Sequence, residues 1–576
     1  MKTRQILTNF TGGIFGKKLR GRVDISKYFN ACRTLSNMIV FPQGGASSRF
    51  GTVFVAETKA SATIAHLIPF QFNITQAYIL EFGEQYIRFF RDSGTIVSGV
   101  DPYEISTTYT TATLFALKYA QDADKMRIVH EDVYPKTLTR TGHIAWTLAS
   151  TTFTSAPSAW TAASGYPSDI ALYEQRSVYA ASTSKPQSLW FGVTGSLDDM
   201  TSGTDADDGM ELILDDYNVI KWIKAGRYLN VGTGEGEWVV SSGATDEAMT
   251  PTKRKARRIS RYGSSAVSAI SANNAILFIQ RTGRKLRELV YNFIEDSYGD
   301  PPDLTIFADE VLSTGVKAYA FQKEPNQILW CVLNDGNIAA FTYNKEQEIT
   351  AWHTHETDGT FEDVAVMPVS DHDQVWFIVR RTVNGIQKRY IEYLAPDFGD
   401  DQSECWFVDS GLRYSGTATT QVGGLDHLAG KSVSILADGA VRPDATVTAS
   451  GYASVGSPAA SVVIAGLPFS AVLEPMDLET KEDDGSSQGR RAKIHQVMIR
   501  FYKTLGAKVG TGASSLDIIP FRTPSDTMGS PPPLFTGDKI VPFPGGWSRH
   551  KYIRIEQDQP LPLTVTAIVP LTTTND

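Results

Sequence analysis

The chain has 576 residues, 42% of them hydrophobic, 11% aromatic and 20% charged, a balance that excludes a disordered or low-complexity protein and allows a large core. Lys plus Arg number 54 against 63 Asp plus Glu, a net charge of −9, which argues against gripping nucleic acid over the whole surface and suits a surface that DNA slides past. Three widely spaced cysteines, Cys32, Cys331 and Cys405, form neither a disulfide framework nor a zinc motif and read as reduced, buried thiols.

At roughly 100–200 residues per domain the length suggests about three to five domains. The first region, 1–64, is Gly- and Arg-bearing and reads as an assembly region with no apolar run long enough for a signal peptide. The most apolar stretches, 462–473 and 560–571, are too short and too broken to span a bilayer, so no membrane anchor is expected. From 65 to 396 the pattern is one of short β runs and tight turns, with a single short helix expected near Phe115 to Tyr119. The clearest unit, 318–357, reads as AYAFQ, ILWCVL, IAAFTY and ITAWHTH, with Asn334-Asp335-Gly336 supplying the positive φ of a tight hairpin. Four strands in about forty residues match one propeller blade, and similar units on both sides predict a mostly-β fold with a β-propeller of six or seven blades over 65–396. A Ser/Ala/Gly/Val-rich segment predicts a small inserted β domain over 397–488, closed by a charged loop at Glu482-Asp483-Asp484-Gly485-Ser486-Ser487. The last segment, 489–576, reads as a C-terminal β segment packing back on the body.

Catalytic signatures are scarce. Neither G-x-S-x-G nor H-E-x-x-H occurs, and no aspartate box marks a sialidase-like propeller. The stretch 424–432, GLDHLAGKS, misses the phosphate-loop spacing by one residue. The Gly232-Thr233-Gly234-Glu235-Gly236 run leads into a strand and offers no helix N-terminus to a pyrophosphate, so it reads as a turn. His353 and His355 alternate on one strand face and could supply two metal ligands, but read as polar residues on a solvent-facing strand. The acidic stretch 198–216 lacks the EF-hand order and reads as a solvated loop. No catalytic, cofactor-binding or metal-ligating residue is therefore assigned, and a non-enzyme is expected. The one concentrated basic run, Lys253, Arg254, Lys255, Arg257 and Arg258, reads either as a nucleic-acid contact or as a loop at a subunit or partner interface; only Tyr262 lies near it as a stacking platform.

A pattern spread along the chain carries a resemblance. It comprises Asn9-Phe10-Thr11-Gly12-Gly13, Gly21-Arg22-Val23-Asp24, Tyr28, Leu35-Ser36-Asn37, Gln43-Gly44-Gly45 and Arg49-Phe50-Gly51-Thr52. Further on come Ala123-Asp124, Val129-His130, Pro135-Lys136-Thr137-Leu138, Gln280 to Lys285 with Arg287-Glu288, Glu324 to Trp330, Thr342 to Glu348 with Trp352-His353, and Arg389-Tyr390-Ile391-Glu392. In this order the segments resemble the tail nozzle proteins of podoviruses, the tail tubular protein B family, with Phe50 where relatives carry proline. The resemblance implies a structural subunit in the virion tail, made in the host cytoplasm and assembled as a homo-oligomeric ring, usually a hexamer. It would lie below the adaptor and portal, hold tail fibres or spikes, and retain and then pass double-stranded DNA during ejection. Arg22, Asp24 and Arg49 then join the basic run as expected interface residues. The alternative is a receptor- or glycan-binding propeller of a tail fibre or spike, with exposed aromatic side chains in a groove.

Overall fold

The structure is a computed structural model that describes residues 2–244, 247–294, 297–479, 481–482 and 485–575. Asp483 and Asp484 of the expected charged loop lie outside the described residues. The fold is mostly β, built from antiparallel sheets laid down in chain order. The first sheet contains His66–Asn73, Gln76–Gly83 and Tyr86–Arg91, edged by Gly94–Thr95 and Glu104–Ser106. The second runs Lys118–Asp122, Lys125–His130, Val133–Gly142, Ala145–Ser150, and the third Asp169–Tyr173, Arg176–Ala180, Ser188–Phe191, Met210–Ile213. The fourth is Ile220–Ala225, Leu229–Thr233, Glu237–Ser241, Lys255–Ser260, and the fifth Ile270–Ala272, Ala275–Ile279, Leu286–Asn292, Ser297–Tyr298.

The sixth sheet begins with Val316–Gln322, Ile328–Leu333, Ile338–Asn344 and Ile349–His355, the four strands that alternation and turn chemistry mark out in the sequence. Gly336 turns the middle hairpin at φ +89°, a conformation that costs a residue without Cβ nothing. The seventh sheet is Thr360–Pro368, Asp373–Val383 and Ile386–Leu394. Where a helix is expected there is only a 3-10 turn, Leu114–Ala116, which buries Leu114; Lys118 and Tyr119 already belong to a strand.

Propeller geometry is not what the pairing gives, and the expectation of six or seven blades over 65–396 is corrected. Among the described residues no sheet is closed into a barrel or propeller. The sixth and seventh sheets instead continue outward through strands from both ends of the chain. Ala31–Ser36 lies against the sixth sheet and is followed by Ala471–Pro475, Arg554–Gln557, Lys508–Gly512 and Ser515–Ile518; with Gly13–Ile14 this makes a 10-stranded sheet. Thr52–Glu57 pairs with the seventh sheet and continues into Asp409–Thr419, Ala460–Leu467, Ser432–Ala437 and Ala440–Thr446, an 8-stranded sheet. Hydrogen-bonded strand pairs therefore run across the expected divisions at 64/65, 396/397 and 488/489. A further 6-stranded sheet joins Lys2–Arg4, Met38–Val40 and Ala46–Ser48 to Thr564–Asn575, Arg491–Thr504 and Phe535–Pro542.

Packed side chains link the first seven sheets, helped by single backbone bonds such as that from the Phe361 amide to the Gly336 carbonyl at 2.7 Å. Buried Tyr78, Phe89, Met126 and Trp146 fill the space between the first and second, and Trp330, Val332, Phe361 and Phe377 that between the sixth and seventh. Leu67, Ile79 and Phe90 of the first sheet meet Met367, Trp376 and Ile378 of the seventh. Burial of this apolar surface, at about 25 cal/mol per Å², supplies the main driving force for assembly of the sheets.

Buried ion pairs tie the strands of the seventh sheet together, and one of their carboxylates also holds the N-terminal strand Thr52–Glu57. Arg381 donates to both oxygens of Glu392 at 2.8 Å, with neither side chain exposed, and Thr52 Oγ1 donates to the same carboxylate. Arg389 pairs with Glu362 at 2.6 Å. Such pairs are costly to desolvate but far costlier to break singly, so they fix which strand sits where.

Candidate functional site

The basic run occupies the outer edge of the fourth sheet. Among the described residues Lys255–Ser260 pairs on one side only, with Glu237–Ser241, in the register Ser241↔Lys255, Val240↔Ala256, Val239↔Arg257 and Trp238↔Arg258. A tight backbone pair, Thr250↔Lys253, precedes it. The strand is anchored from beneath: half-buried Ala256 rests on the cluster containing Trp238 and Val240, and Ile259 on the one containing Trp222 and Phe278. Lys253, Arg254, Lys255, Arg257 and Arg258 all remain exposed.

Two of these cations are tied to the protein's own acceptors. Lys253 Nζ lies 3.0 Å from Glu247, and Arg254 donates to the Glu211 carbonyl at 2.7 Å. The Arg258 guanidinium lies 5.3 Å from the centre of the Trp238 ring. Lys255 and Arg257 make no hydrogen bond or ion pair among the described residues. Exposed Arg261 follows directly, and Arg281 is held to the same end by its amide's bond to the Gly263 carbonyl at 2.9 Å. Tyr262 is not available as a stacking platform: the Arg287 guanidinium sits 3.4 Å over its ring and its hydroxyl donates to Asp300 at 2.9 Å.

The other expected interface residues are placed elsewhere. Arg22 and Asp24 form an exposed, two-bonded ion pair with each other, at 2.8 and 2.7 Å, which holds the Asp24 carboxyl below the usual carboxylate range. Arg49 lies inside the body, 2% exposed, and bonds both oxygens of buried Asp409 at 2.7 Å. Its remaining donors reach the Asn37 side chain and the carbonyls of Phe50 and Glu356, so it organises the chain internally and presents nothing to a partner.

His353 and His355 are also inside, at 0% and 1% exposure, which corrects their reading as solvent-facing. His353 Nδ1 lies 2.8 Å from His355 Nε2, and its Nε2 lies 3.0 Å from Thr342 Oγ1. Burial pulls His353 down to about 3 and His355 well below its ordinary value. Among the described residues no group of three or more His, Cys, Asp or Glu side chains could hold a metal ion. The three cysteines are buried and unpaired, and burial pushes the Cys405 thiol up to about 12.

The near-miss motifs resolve into structure. In 424–432, Lys431 is committed to Asp358 at 2.7 Å and His427 stacks on Phe54 at 3.8 Å. In the glycine run, Gly232 lies against Trp222, where an added Cβ would stand 2.2 Å from the indole. In the acidic stretch, Asp198 pairs with Arg127 at 2.7 Å and Asp216 accepts from Trp238 at 3.1 Å. Buried Arg176 donates to the backbone oxygens of Gly192, Ala206, Asp207 and Asp208 and so holds the loop in shape.

A second polar group was not legible in the sequence. Lys118, Asp169, Lys224, Lys317, Asp363 and His66 each lie on the first strand of a different sheet, and His66 Nδ1 lies 2.7 Å from Asp363 Oδ2.

No family model matches the chain, and no curated protein matches it. Among solved structures it is similar to the β-propeller domain of Cps50 (Swd1) from Myceliophteria thermophila, at 8% identity and a TM-score of 0.37, covering 60% of this chain and 100% of that one. It is also similar to the Pan2 WD40 domain of Neurospora crassa, at 10% identity and a TM-score of 0.33, over 61% and 96% of the two chains. A luciferin-regenerating enzyme matches at 13% identity and a TM-score of 0.30, over 49% and 91%. These likenesses are too distant to assign a fold or a role. With no family or curated protein matched and no propeller closed, two expected functions are set aside: the DNA-passing nozzle subunit and the receptor- or glycan-binding fibre or spike protein.

Proposed function

We propose that the protein acts by binding, without catalysis, and that its docking surface is the open edge of strand Lys255–Ser260, which takes up an extended acidic segment of a partner protein. The observation that carries this reading is the strand itself: an unpaired edge with exposed cations, of which Lys255 and Arg257 have no counter-charge among the described residues. The comparable fourth strands of the second and third sheets, Ala145–Ser150 and Met210–Ile213, carry no cation at all.

An added strand would satisfy the edge's free backbone groups, and carboxylates on it would meet the cations; backbone bonds supply affinity and charge supplies selection. Lysine and arginine on an edge also discourage uncontrolled pairing between copies, so the same residues favour an acidic strand over a neutral one. Duplex DNA is the competing occupant. It is less favoured because duplex affinity grows with the number of free cations, and Lys253 and Arg254 are already engaged by Glu247 and the Glu211 carbonyl.

The test is fluorescence anisotropy with a short labelled Glu/Asp-rich peptide, a neutral peptide of the same length and a duplex oligonucleotide. The acidic peptide should bind, weaken with added salt, and lose about tenfold or more in affinity to a Lys255→Glu/Arg257→Glu/Arg258→Glu variant. Equal binding by that variant, or tighter binding of the duplex than of the peptide, would overturn the reading.

A further inference from the structure

The C-terminal part of the chain holds a second concentration of positive charge. Strand Arg491–Thr504 lies inside the 6-stranded sheet, and its first residue pairs with Asn575 of Thr564–Asn575. On the other side the same strand end is held by a single antiparallel bridge, Ala492↔Ser548, with both backbone bonds formed, at 2.8 and 2.9 Å. Arg491 precedes Ala492 and Arg549 follows Ser548, so the antiparallel register brings the two arginines to the same end of the bridge. Both line one open cleft of about 510 Å³, together with Gly489, Arg490, Trp547 and Asn575. That volume falls within the range of about 300–1,000 Å³ in which small-ligand sites lie.

The cleft stands on a fixed base. Ala492 and Ile494 are buried beneath it. The turn that carries Gly489 and Arg490 is closed by the bond from the Arg490 amide to the Ser487 carbonyl at 3.2 Å. Buried Lys551 holds that turn from below, donating to the same carbonyl and lying 3.2 Å from Glu479. Ser487 Oγ donates to the Glu479 carboxylate at 2.6 Å, so this acid is engaged beneath the turn and supplies no counter-charge to the arginines above.

The lining is one-sided in charge and open in shape. Three of the six residues are arginines and none is acidic. Arg491 and Arg549 are exposed and make no hydrogen bond or ion pair among the described residues. Like charges at neighbouring strand positions oppose one another unless an anion comes between them. Trp547 is 46% exposed, and its ring meets no other ring and no cation among the described residues. At Gly489 an added Cβ would meet nothing within 4 Å, so the entrance is clear. Paired guanidinium groups bond phosphate oxygens through parallel N–H donors, and an open indole face stacks a flat ring. A bare anion would leave the indole wet, and a neutral ring would leave the arginines without a counter-charge. A ligand that meets both needs carries an aromatic ring and a phosphate.

We infer that this cleft binds a nucleotide, its base stacked on Trp547 and its phosphate bonded by Arg491 and Arg549. A free mononucleotide and an unpaired nucleotide of a single strand share this chemistry. The inference is independent of the edge-strand reading, since none of its residues lies on Lys255–Ser260.

The experiment is calorimetric titration of the full chain with AMP and with a short oligoadenylate, and with adenosine, ribose 5-phosphate and inorganic phosphate as the separate parts. The better of the first two should bind saturably and about tenfold or more tighter than any part, because stacking and charged hydrogen bonds then act together. AMP binding the tighter identifies the source as a free nucleotide, and the oligoadenylate binding the tighter identifies it as a single strand. Arg491→Ala/Arg549→Ala should lower that affinity about tenfold or more, towards the level of adenosine. Trp547→Ala should lower it about tenfold, towards the level of ribose 5-phosphate, whereas Trp547→Phe, which keeps a ring, should retain most of it. Neither ligand binding tighter than its parts, or unchanged affinity in folded Arg491→Ala/Arg549→Ala or Trp547→Ala protein, overturns the inference. Should those variants not fold, indole N–H NMR of the unsubstituted protein decides, with the Trp547 signal assigned through Trp547→Phe. A shift of that signal on adding AMP or the oligoadenylate supports the site, and an unmoved signal overturns it.

Discussion

Arg49 and Asp409, 360 positions apart, meet through two parallel hydrogen bonds of 2.7 Å in a place neither shares with solvent. The pair ties the turn after Ala46–Ser48 to the start of Asp409–Thr419, and so joins the N-terminal strands to the segment beyond the seventh sheet. Replacing Arg49 with Ala would leave the Asp409 carboxylate buried and alone, for a loss of about 3–5 kcal/mol. Denaturant titration of the Arg49→Ala variant checks this; a loss below about 1 kcal/mol would show that the pair is dispensable.

Acid should act through the same pair. The Arg49 guanidinium overcomes burial and holds Asp409 below the ordinary carboxylate range. A carboxyl depressed on folding contributes stability that is complete above its unfolded value, about 3.9, and is lost as pH falls through the folded one. Asp409→Asn should therefore be less stable than the unsubstituted protein at neutral pH and should flatten the stability profile below about pH 4.

His353 and His355 give a second, separate acid response. Both are neutral when folded, His353 near 3 and His355 well below its ordinary value, whereas in the unfolded chain each titrates near 6.5. Below that value the unfolded state binds more protons, so stability should fall from about pH 6.5 downward, by up to about 1.4 kcal/mol per pH unit for each histidine. Thermal midpoints taken between neutral and mildly acid pH, with and without His355→Phe, measure this. An unchanged slope in the variant would remove His355 from the account.

Gly232 tests packing alone. An added methyl would stand 2.2 Å from the Trp222 indole, and Trp222 is fully enclosed between the fourth and fifth sheets. Gly232→Ala should cost about 1–3 kcal/mol, as overpacking of a filled core does. A paired Trp222→Phe substitution should recover part of the loss, and equilibrium unfolding of the three variants shows whether it does.

Arg176 tests shape retention in the acidic stretch. Its guanidinium reaches four backbone oxygens at once, a spread that a single ammonium cannot reproduce. Arg176→Lys should leave the body folded while increasing proteolytic cleavage within 204–208. Limited proteolysis followed by mass spectrometry locates the cut.

Local features were legible in the sequence. The four strands of 318–357 are visible from alternation and from Asn334-Asp335-Gly336, because both signals act over a few residues. Distant pairing was not, since nothing near Ser36 announces that it will meet Thr354, or near Val53 that it will meet Gly411. The polarity of Arg49, His353 and His355 pointed outward, although each is buried with a partner that only the fold supplies. The edge position of Lys255–Ser260 could be suspected from its run of cations.

The pairing of Ala31–Ser36 with Ala471–Pro475 has a consequence during synthesis. Thr34 must wait for Glu474, 440 positions later, before its hydroxyl finds the carboxylate it bonds at 2.9 Å. At about 5–20 residues per second, a ribosome needs roughly 20–90 seconds to deliver that partner. Throughout that interval an early, half-apolar strand stands with one side unclaimed beside a body already taking shape. Chaperone occupancy on nascent chains should therefore persist over Ala31–Ser36 until Ala471–Pro475 has been synthesised.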